Sequence, residues 1–320
     1  MLLRTSIDIG NVYSGILKDN MVLSFSEFMR YHDEGLGIPV LVPADSNILD
    51  FDENDVFEID PELLLKTVFN TENQLYVGFD LAFQSNRFVK KFEPKACLLS
   101  EIEFVKSQNR FVMERVAKLR EKYATVGSFQ TRNIPHFGHE KIIEMMLSHC
   151  EHVVINPVVG SKKPGDIKIE NLETVFNEIV SKKFAGRISF QPILANMYYA
   201  GPREAVHHAI MRKNLGFTNF SVGRDHAGAE GAYPENEAPS LARKHEKRLG
   251  ISILTHDGAY FCKDCDEVIL KNMCPHGEAS LSAVSGSDFR RHIESGTVYD
   301  LADLKIQKHL NSVTDGVFEK

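Results

Sequence analysis

Between residues 123 and 228 the chain alternates short apolar runs with stretches of helical spacing, and each apolar run ends in a polar loop. Residues 123–128, 152–156, 188–194 and 218–222 read as strands, and residues 171–182 and 201–214 read as helices. Residues 141–147 continue the first loop with apolar positions 142, 143, 145, 146 and 147, the pattern of a helix opening near Pro135. A βαβαβ order of this kind predicts an α/β fold with a doubly wound parallel sheet. In such a sheet ligands bind beyond the carboxyl ends of the strands, so the loops at 129–139, 157–166, 195–203 and 223–228 are expected to face one crevice.

The first loop is the most informative. It reads Phe129-Gln130-Thr131-Arg132-Asn133-Ile134-Pro135-His136-Phe137-Gly138-His139-Glu140. A helix N-terminus offers unbonded N–H groups that attract anions, phosphate above all, and Arg132, His136 and His139 add cationic or proton-donating groups there. His136 and His139 are three apart, which puts them on one helix face. An HxxH pair alone is usually two surface histidines. On a strand–loop–helix unit, an HxGH element suggests nucleotide phosphate binding.

The last loop, Gly223-Arg224-Asp225-His226-Ala227-Gly228, has a glycine at each end that lets backbone approach a ligand. Arg224 could clamp phosphate and His226 could donate a hydrogen bond. An ordinary polar turn is the alternative when this loop is read alone. In residues 197–205, Arg203 reaches either the crevice or a structural carboxylate, with nothing to choose between them. Lys162 and Lys163, in a Gly/Pro loop, are either solvated or part of a lid over polyphosphate. Ser285-Gly286-Ser287-Asp288-Phe289-Arg290 precedes a C-terminal helix and could present hydroxyls, N–H groups and Arg290 to phosphate, while Ser287 as a helix cap accounts for most of that element and is compatible with it.

A second strong pattern lies at Cys262-Lys263-Asp264-Cys265 and Cys274-Pro275-His276-Gly277-Glu278. Three thiolates, two of them in a CxxC knuckle, suit a tetrahedral structural Zn²⁺. His276 is the chemically preferred fourth ligand, with Glu278 or a more distant residue as the other choices; a redox CxxC or unrelated thiols are the competing readings.

Composition sets the remaining bounds. With 37 basic and 44 acidic residues the net charge is −7, which argues against general nucleic-acid binding. No apolar run approaches the ~18 residues of a membrane helix, and the first residues lack the apolar core of a signal peptide. A cytoplasmic chain with reduced or metal-bound cysteines is expected. Residues 1–118 read as a smaller β-rich or mixed domain, residues 119–258 as the nucleotide-handling domain, and residues 259–320 as a zinc-bearing region, with a helix at 104–122 leading into the central strand. The acidic stretch 45–60 lacks EF-hand spacing and reads as a solvated loop.

Taken together, Gln130-Thr131-Arg132-Asn133 with His136 and His139, the Tyr199-Ala200-Gly201-Pro202-Arg203-Glu204-Ala205 segment and the Gly223–Gly228 loop resemble the ATP sulfurylase (sulfate adenylyltransferase) family. The likeness covers roughly residues 115–300 in order, with residues 156–166 and 285–290 also similar. No GxxxxGK[ST] phosphate loop of a fused adenylylsulfate kinase is present. In the family a proline directly follows the motif's asparagine; here Ile134 holds that place. Some bacterial relatives carry a Cys₃His zinc site whose histidine falls at the position of Glu278.

The resemblance implies an HxGH-type nucleotidyltransferase joining ATP and sulfate into adenylylsulfate and pyrophosphate. Gln130, Arg132 and the Ala227 N–H would hold sulfate, and Thr131 and Asn133 would position the α-phosphate. His136 and His139 would sit on the β- and γ-phosphates, with Gly223, Arg224, Asp225 and His226 on the nucleotide. Mg²⁺ would arrive with ATP, and a homo-oligomer, expected as a homodimer, would be the working form. A catalytically silent nucleotide-binding regulator and an adenylyltransferase for another anion are the alternative readings.

Overall fold

The computed structural model describes residues 3–34, 37–71, 76–160, 165–228 and 231–319, with the side chains of Asp80 and Leu81 left aside. Lys162 and Lys163 fall outside the described residues.

At the centre is a five-stranded, all-parallel sheet. Its strands are β1 (Val126–Phe129), β2 (His152–Ile155), β3 (Ile188–Phe190), β4 (Asn219–Val222) and β5 (Ser252–Thr255), in spatial order β5-β4-β1-β2-β3. Residues of β1, β2 and β4 are buried throughout, the continuous apolar pattern of a sheet covered on both faces. The strand order reverses at β1 and β4, so a crevice opens there between the loops leaving their carboxyl ends. The parallel α/β reading thus holds, with a fifth strand that the sequence pattern did not reveal because Ser252–Thr255 is short and follows a polar helix.

The helix expected near Pro135 runs Phe137–Leu147 and starts two residues later, with His136 at its N-cap. The helix expected at 171–182 is broken: an α-helix, Ile169–Val175, continues as a π-turn and a 3₁₀ turn to Phe184. Asn219, not Thr218, opens β4, because the Thr218 side chain turns back to bond Val126.

The first third of the chain is mixed rather than β-rich. Helices Arg4–Tyr13, Phe25–Glu34, Pro61–Phe69, Val77–Ala82 and Ala96–Lys122 dominate it. Its strands form two small antiparallel pairs, Leu49–Asp50 with Glu93–Pro94 and Val56–Glu58 with Arg87–Val89. The turn residues that suggested strands serve as helix punctuation instead. Asp60 accepts from the N–H groups of Glu62 and Leu63 with Pro61 in the first turn, and Asn70 ends that helix at φ +51°. Helix Ala96–Lys122 begins eight residues before the expected Phe104. Its buried residues Leu98, Ile102, Val105, Asn109, Val112 and Val116 recur every three or four positions. Gly10 permits its close packing on Arg4–Tyr13, since a Cβ there would lie 2.6 Å from that of Val105.

Two apolar cores flank the sheet. One runs from the N-terminal helices through Tyr198, Tyr199, Phe217 and Phe220 to Ile253. The other gathers Phe129, Ile134, Ile142, Ile143, Phe176 and Phe289 with the C-terminal helices. After β5, a three-stranded antiparallel sheet (Ala259–Cys262, Glu267–Leu270, Leu281–Ala283) leads into helix Gly286–Ser295.

Candidate active site

The crevice at the β1/β4 switch point is a cleft of about 510 Å³. Gln130, Thr131, Arg132, Asn133 and His139 line one wall, and Gly223, Arg224, Asp225, His226 and Ala227 line another. Ser285 and Gly286 close a third side; a Cβ on Gly286 would come within 3.1 Å of the Asn133 side chain. His136 lines an adjoining compartment of about 210 Å³ with Gly138, Arg224, His256, Gly258 and Ala259. The residues expected from the first and last loops therefore do converge.

The first loop is held by its own hydrogen bonds. The His136 backbone N–H donates to His139 Nδ1 at 3.3 Å, and Thr131 Oγ1 accepts from the Asn133 N–H at 3.2 Å. Because His139 Nδ1 accepts, its proton sits on Nε2, which is 3.4 Å from Thr131 Oγ1. The His136 and His139 rings lie 4.0 Å apart, tilted by 38°. Gly138 makes this arrangement possible, since a Cβ there would be 2.9 Å from the His136 ring and 3.2 Å from Ala259. Burial pushes the His136 pKa down to about 4 and holds His139 well below its usual value. The pair is neutral at pH 7 before any anion enters, so these rings offer N–H groups rather than fixed positive charge.

Arg132 bridges the two loops. Its Nη2 donates to the Gly228 carbonyl at 3.3 Å, and the guanidinium lies over the Tyr199 ring at 5.3 Å. Nη1 is buried without a hydrogen-bond partner, 3.9 Å from the buried Asp166 carboxylate. Gln130 Oε1 and His136 Nδ1 are likewise buried and unpartnered. Such groups are costly to leave unbonded, and several in one cleft mark a place built for a polar ligand.

The last loop is shaped by glycine and by strain. A Cβ on Gly228 would sit 2.0 Å from Asp225 Oδ1. Ala227 adopts φ +55°, uncommon for a residue with a Cβ, and its carbonyl accepts from the Gly201 N–H at 3.2 Å. Tyr199, in the Tyr-Ala-Gly-Pro-Arg segment, is also left-handed at φ +59°. Arg203 does not reach the cleft: it donates to the Tyr31 and His32 carbonyls at a helix C-terminus, at 2.8 and 3.3 Å. Ser285 rather than Ser287 caps the following helix, its Oγ accepting from the Asp288 N–H at 3.2 Å.

Sequence reasoning missed three elements. His256, following the unrecognised β5, lines both compartments, and burial lowers its pKa to about 4. Asp166 pairs with Arg132. Behind the cleft, Glu204 accepts from the N–H groups of Tyr198 and Ala200, each at 2.9 Å, and its Oε1 touches His208 Nε2 at 3.3 Å. A strand followed by a histidine was the signal available for His256; the others have none.

Beyond the cleft, Cys262, Cys265, Cys274 and His276 place their ligand atoms within 4.8 Å of one another. His276 Nδ1 is 3.4, 3.3 and 3.8 Å from the three sulfurs in turn. Zn–S and Zn–N bonds of about 2.3 and 2.1 Å in a tetrahedron require separations of about 3.5–3.8 Å. The Cys₃His set fits a tetrahedral metal ion. Glu278 points elsewhere, its carboxylate 2.7 Å from Lys271 Nζ.

The ATP-sulfurylase family model matches residues 111–300. Sulfate adenylyltransferase of Hyperthermus butylicus is 40% identical over 175 residues, 54% of this chain and 45% of that enzyme. Those of Ignicoccus hospitalis and Thermococcus onnurineus are each 32% identical, over 90% and 91% of this chain and 83% of each enzyme. A solved hexameric APS kinase from Thiobacillus denitrificans shares the fold, with a TM-score of 0.62 and 13% identity over 99% of this chain and 63% of that one. The chain belongs to the ATP-sulfurylase family.

Among the described residues, no helix is long and apolar enough to cross a membrane.

Proposed function

We propose that this chain is a sulfate adenylyltransferase, with the β1/β4 cleft as its active site. A sulfate oxygen attacks the α-phosphorus of ATP, the bond to the bridging oxygen of pyrophosphate breaks, and adenylylsulfate and pyrophosphate leave. Both reactants are anions, so the protein's task is to align them and to neutralise charge, with no covalent intermediate required. The observation that carries this reading is the convergence of Gln130, the partly buried Arg132 guanidinium and His139 in the cleft with His136 in the compartment adjoining it.

In this reading Arg132, fixed by Gly228 and Tyr199, receives sulfate together with Gln130 and the Ala227 N–H. Thr131 and Asn133 orient the α-phosphate. The first turn of helix Phe137–Leu147 and the N–H groups of His136 and His139 take the β- and γ-phosphates and stabilise charge on departing pyrophosphate. Gly223, Arg224, Asp225 and His226 hold the nucleotide. Mg²⁺ enters bound to ATP. The Cys262, Cys265, Cys274 and His276 set holds Zn²⁺, which supplies a structural cross-link. A homodimer is the assembly this reading carries, open to sedimentation analysis.

The test is sulfate-dependent exchange of labelled pyrophosphate into ATP. Exchange is expected in the wild type and lost in Arg132→Ala and His136→Ala. Full exchange in either variant removes the role given to that residue. Tight ATP binding without exchange would make the chain a nucleotide-binding regulator, and exchange driven by selenate or molybdate in preference to sulfate would change the anion.

A further inference from the structure

The Cys₃His set is usually read as a staple that merely folds its own loop. Its surroundings point further. The strand carrying Cys262 also carries Ala259 and Tyr260, and the turn before it carries Gly258. Gly258 and Ala259 line the smaller compartment, facing His136 and Gly138. A Cβ on Gly258, at φ +88°, would stand 2.9 Å from Arg224 Nε, so the turn lies directly against the guanidinium. Two residues before Cys262, Tyr260 Oη accepts from Arg224 Nη1 at 2.8 Å, and its ring lies 5.5 Å from the same guanidinium. Glu235, largely exposed, takes the same Nη1 at 3.1 Å. On the other side, Cys262 pairs in register with Leu281 and Tyr260 with Ala283, whose strand runs straight into Val284, Ser285 and Gly286 of the cleft wall.

We infer that the metal hairpin is a clamp on the phosphate compartment, with Tyr260 as the positioning residue that transmits the hairpin's order to Arg224. The inference rests on the nucleotide reading of the site. A guanidinium on a flexible stem loses rotamer freedom when it binds phosphate, and a partner that holds it beforehand removes that cost from binding. Tyr260 can do this only while its strand is fixed, and the strand is fixed at Cys262. The clamp acts on the unliganded protein, where it orders Arg224 before nucleotide arrives, so it sets ATP affinity and leaves the rate of the bound complex nearly alone.

The experiment is calorimetric titration of the full chain with MgATP, alongside pyrophosphate exchange, in wild type, Tyr260→Phe and Tyr260→Leu, each with its metal content measured. Tyr260→Phe keeps the ring and the metal and loses the hydroxyl. It is expected to weaken ATP binding about tenfold, to raise KM for ATP by a similar factor, and to leave kcat within about twofold. Tyr260→Leu weakens binding further. Chelation weakens the wild type at least as much as Tyr260→Phe, and the two effects do not multiply. Unchanged affinity in metal-replete Tyr260→Phe, or effects of chelation and substitution that multiply, overturns the clamp. Wild-type ATP binding without exchange, with the Tyr260→Phe loss intact, sinks the proposed activity and leaves the clamp standing.

Discussion

His208 Nδ1 lies 3.0 Å from His226 Nε2, a hydrogen bond between two buried imidazoles. Glu204 Oε1 lies 3.3 Å from His208 Nε2, behind that pair, without a hydrogen bond to it. Burial lowers the pKa of both rings and, as the largest cause, raises that of Glu204, against which the two backbone donors favour the carboxylate. Glu204→Gln puts an amide NH₂ where one backbone N–H needs an acceptor, and about 1–3 kcal/mol of stability should be lost in urea unfolding. A stability equal to the wild type would show that these bonds are dispensable.

Arg132 holds its place through a forked group that lysine cannot reproduce. With the Gly228 carbonyl and the Tyr199 ring both engaged, Arg132→Lys is expected to lower kcat/KM for sulfate by about 10²–10³-fold, as for other lost preorganised donors. Initial-rate kinetics at saturating ATP check this, and a loss below threefold would mean that charge alone suffices.

Gly138→Ala separates local helix propensity from site geometry. Within a helix the change should add up to about 1 kcal/mol of stability. Here the new Cβ would crowd the His136 ring at 2.9 Å and Ala259 at 3.2 Å. Exchange activity should fall by at least tenfold, corresponding to about 1.4 kcal/mol or more of displaced phosphate contacts. Circular dichroism and exchange on one preparation distinguish the two effects.

The fourth metal ligand is settled by paired variants. Glu278→Ala removes only an exposed contact with Lys271 and should retain about one equivalent of zinc. His276→Ala removes the nitrogen within 3.3–3.8 Å of all three sulfurs and should lose it. Zinc lost from Glu278→Ala and kept in His276→Ala would reverse the assignment.

Acid should destabilise the fold in a particular window. His136, His152 and His256 are held down to about 4, and His207 to about 3, chiefly by burial. Between those values and the ordinary 6.5 the unfolded chain binds protons that the folded chain does not, so unfolding gains with each step down in pH. Stability is complete above about pH 6.5 and is lost as pH falls toward 4, by up to about 1.4 kcal/mol per pH unit for each such histidine. Thermal melts from pH 7.5 to 4.5 at constant ionic strength measure it; a flat melting temperature would mean that these rings open to solvent on protonation.

Much of this was legible in the sequence because the relevant residues are contiguous. Gln130 to His139 and Gly223 to Gly228 are unbroken loops, each anchored at the carboxyl end of a strand, so sheet order alone brings them together at a switch point. His256 and Asp166 were not legible, since they come from segments far apart in sequence from the loops they meet, and the Glu204–His208–His226 chain was not legible because it depends on which way side chains of one helix and the following loop turn behind the cleft. The N-terminal region misled for a different reason. Asp60-Pro61 and Asn70 stop and start helices as readily as they turn strands, and tertiary packing against helices Phe25–Glu34, Val77–Ala82 and Gly201–Leu215 chooses the helix. Glu278 was a credible ligand by position alone; its pairing with Lys271 is a matter of three-dimensional reach.

Ile134 stands where the family places a proline, and its side chain is only 3% exposed, packed with Phe129, Ile142 and Phe289. A proline would stiffen the loop from within, by its ring. Isoleucine stiffens it from below, as a peg driven into the core beneath the sheet. The loop's rigidity is thus inherited from the packing of the C-terminal helices, and whatever loosens those helices will loosen this wall of the cleft before the sheet itself gives way.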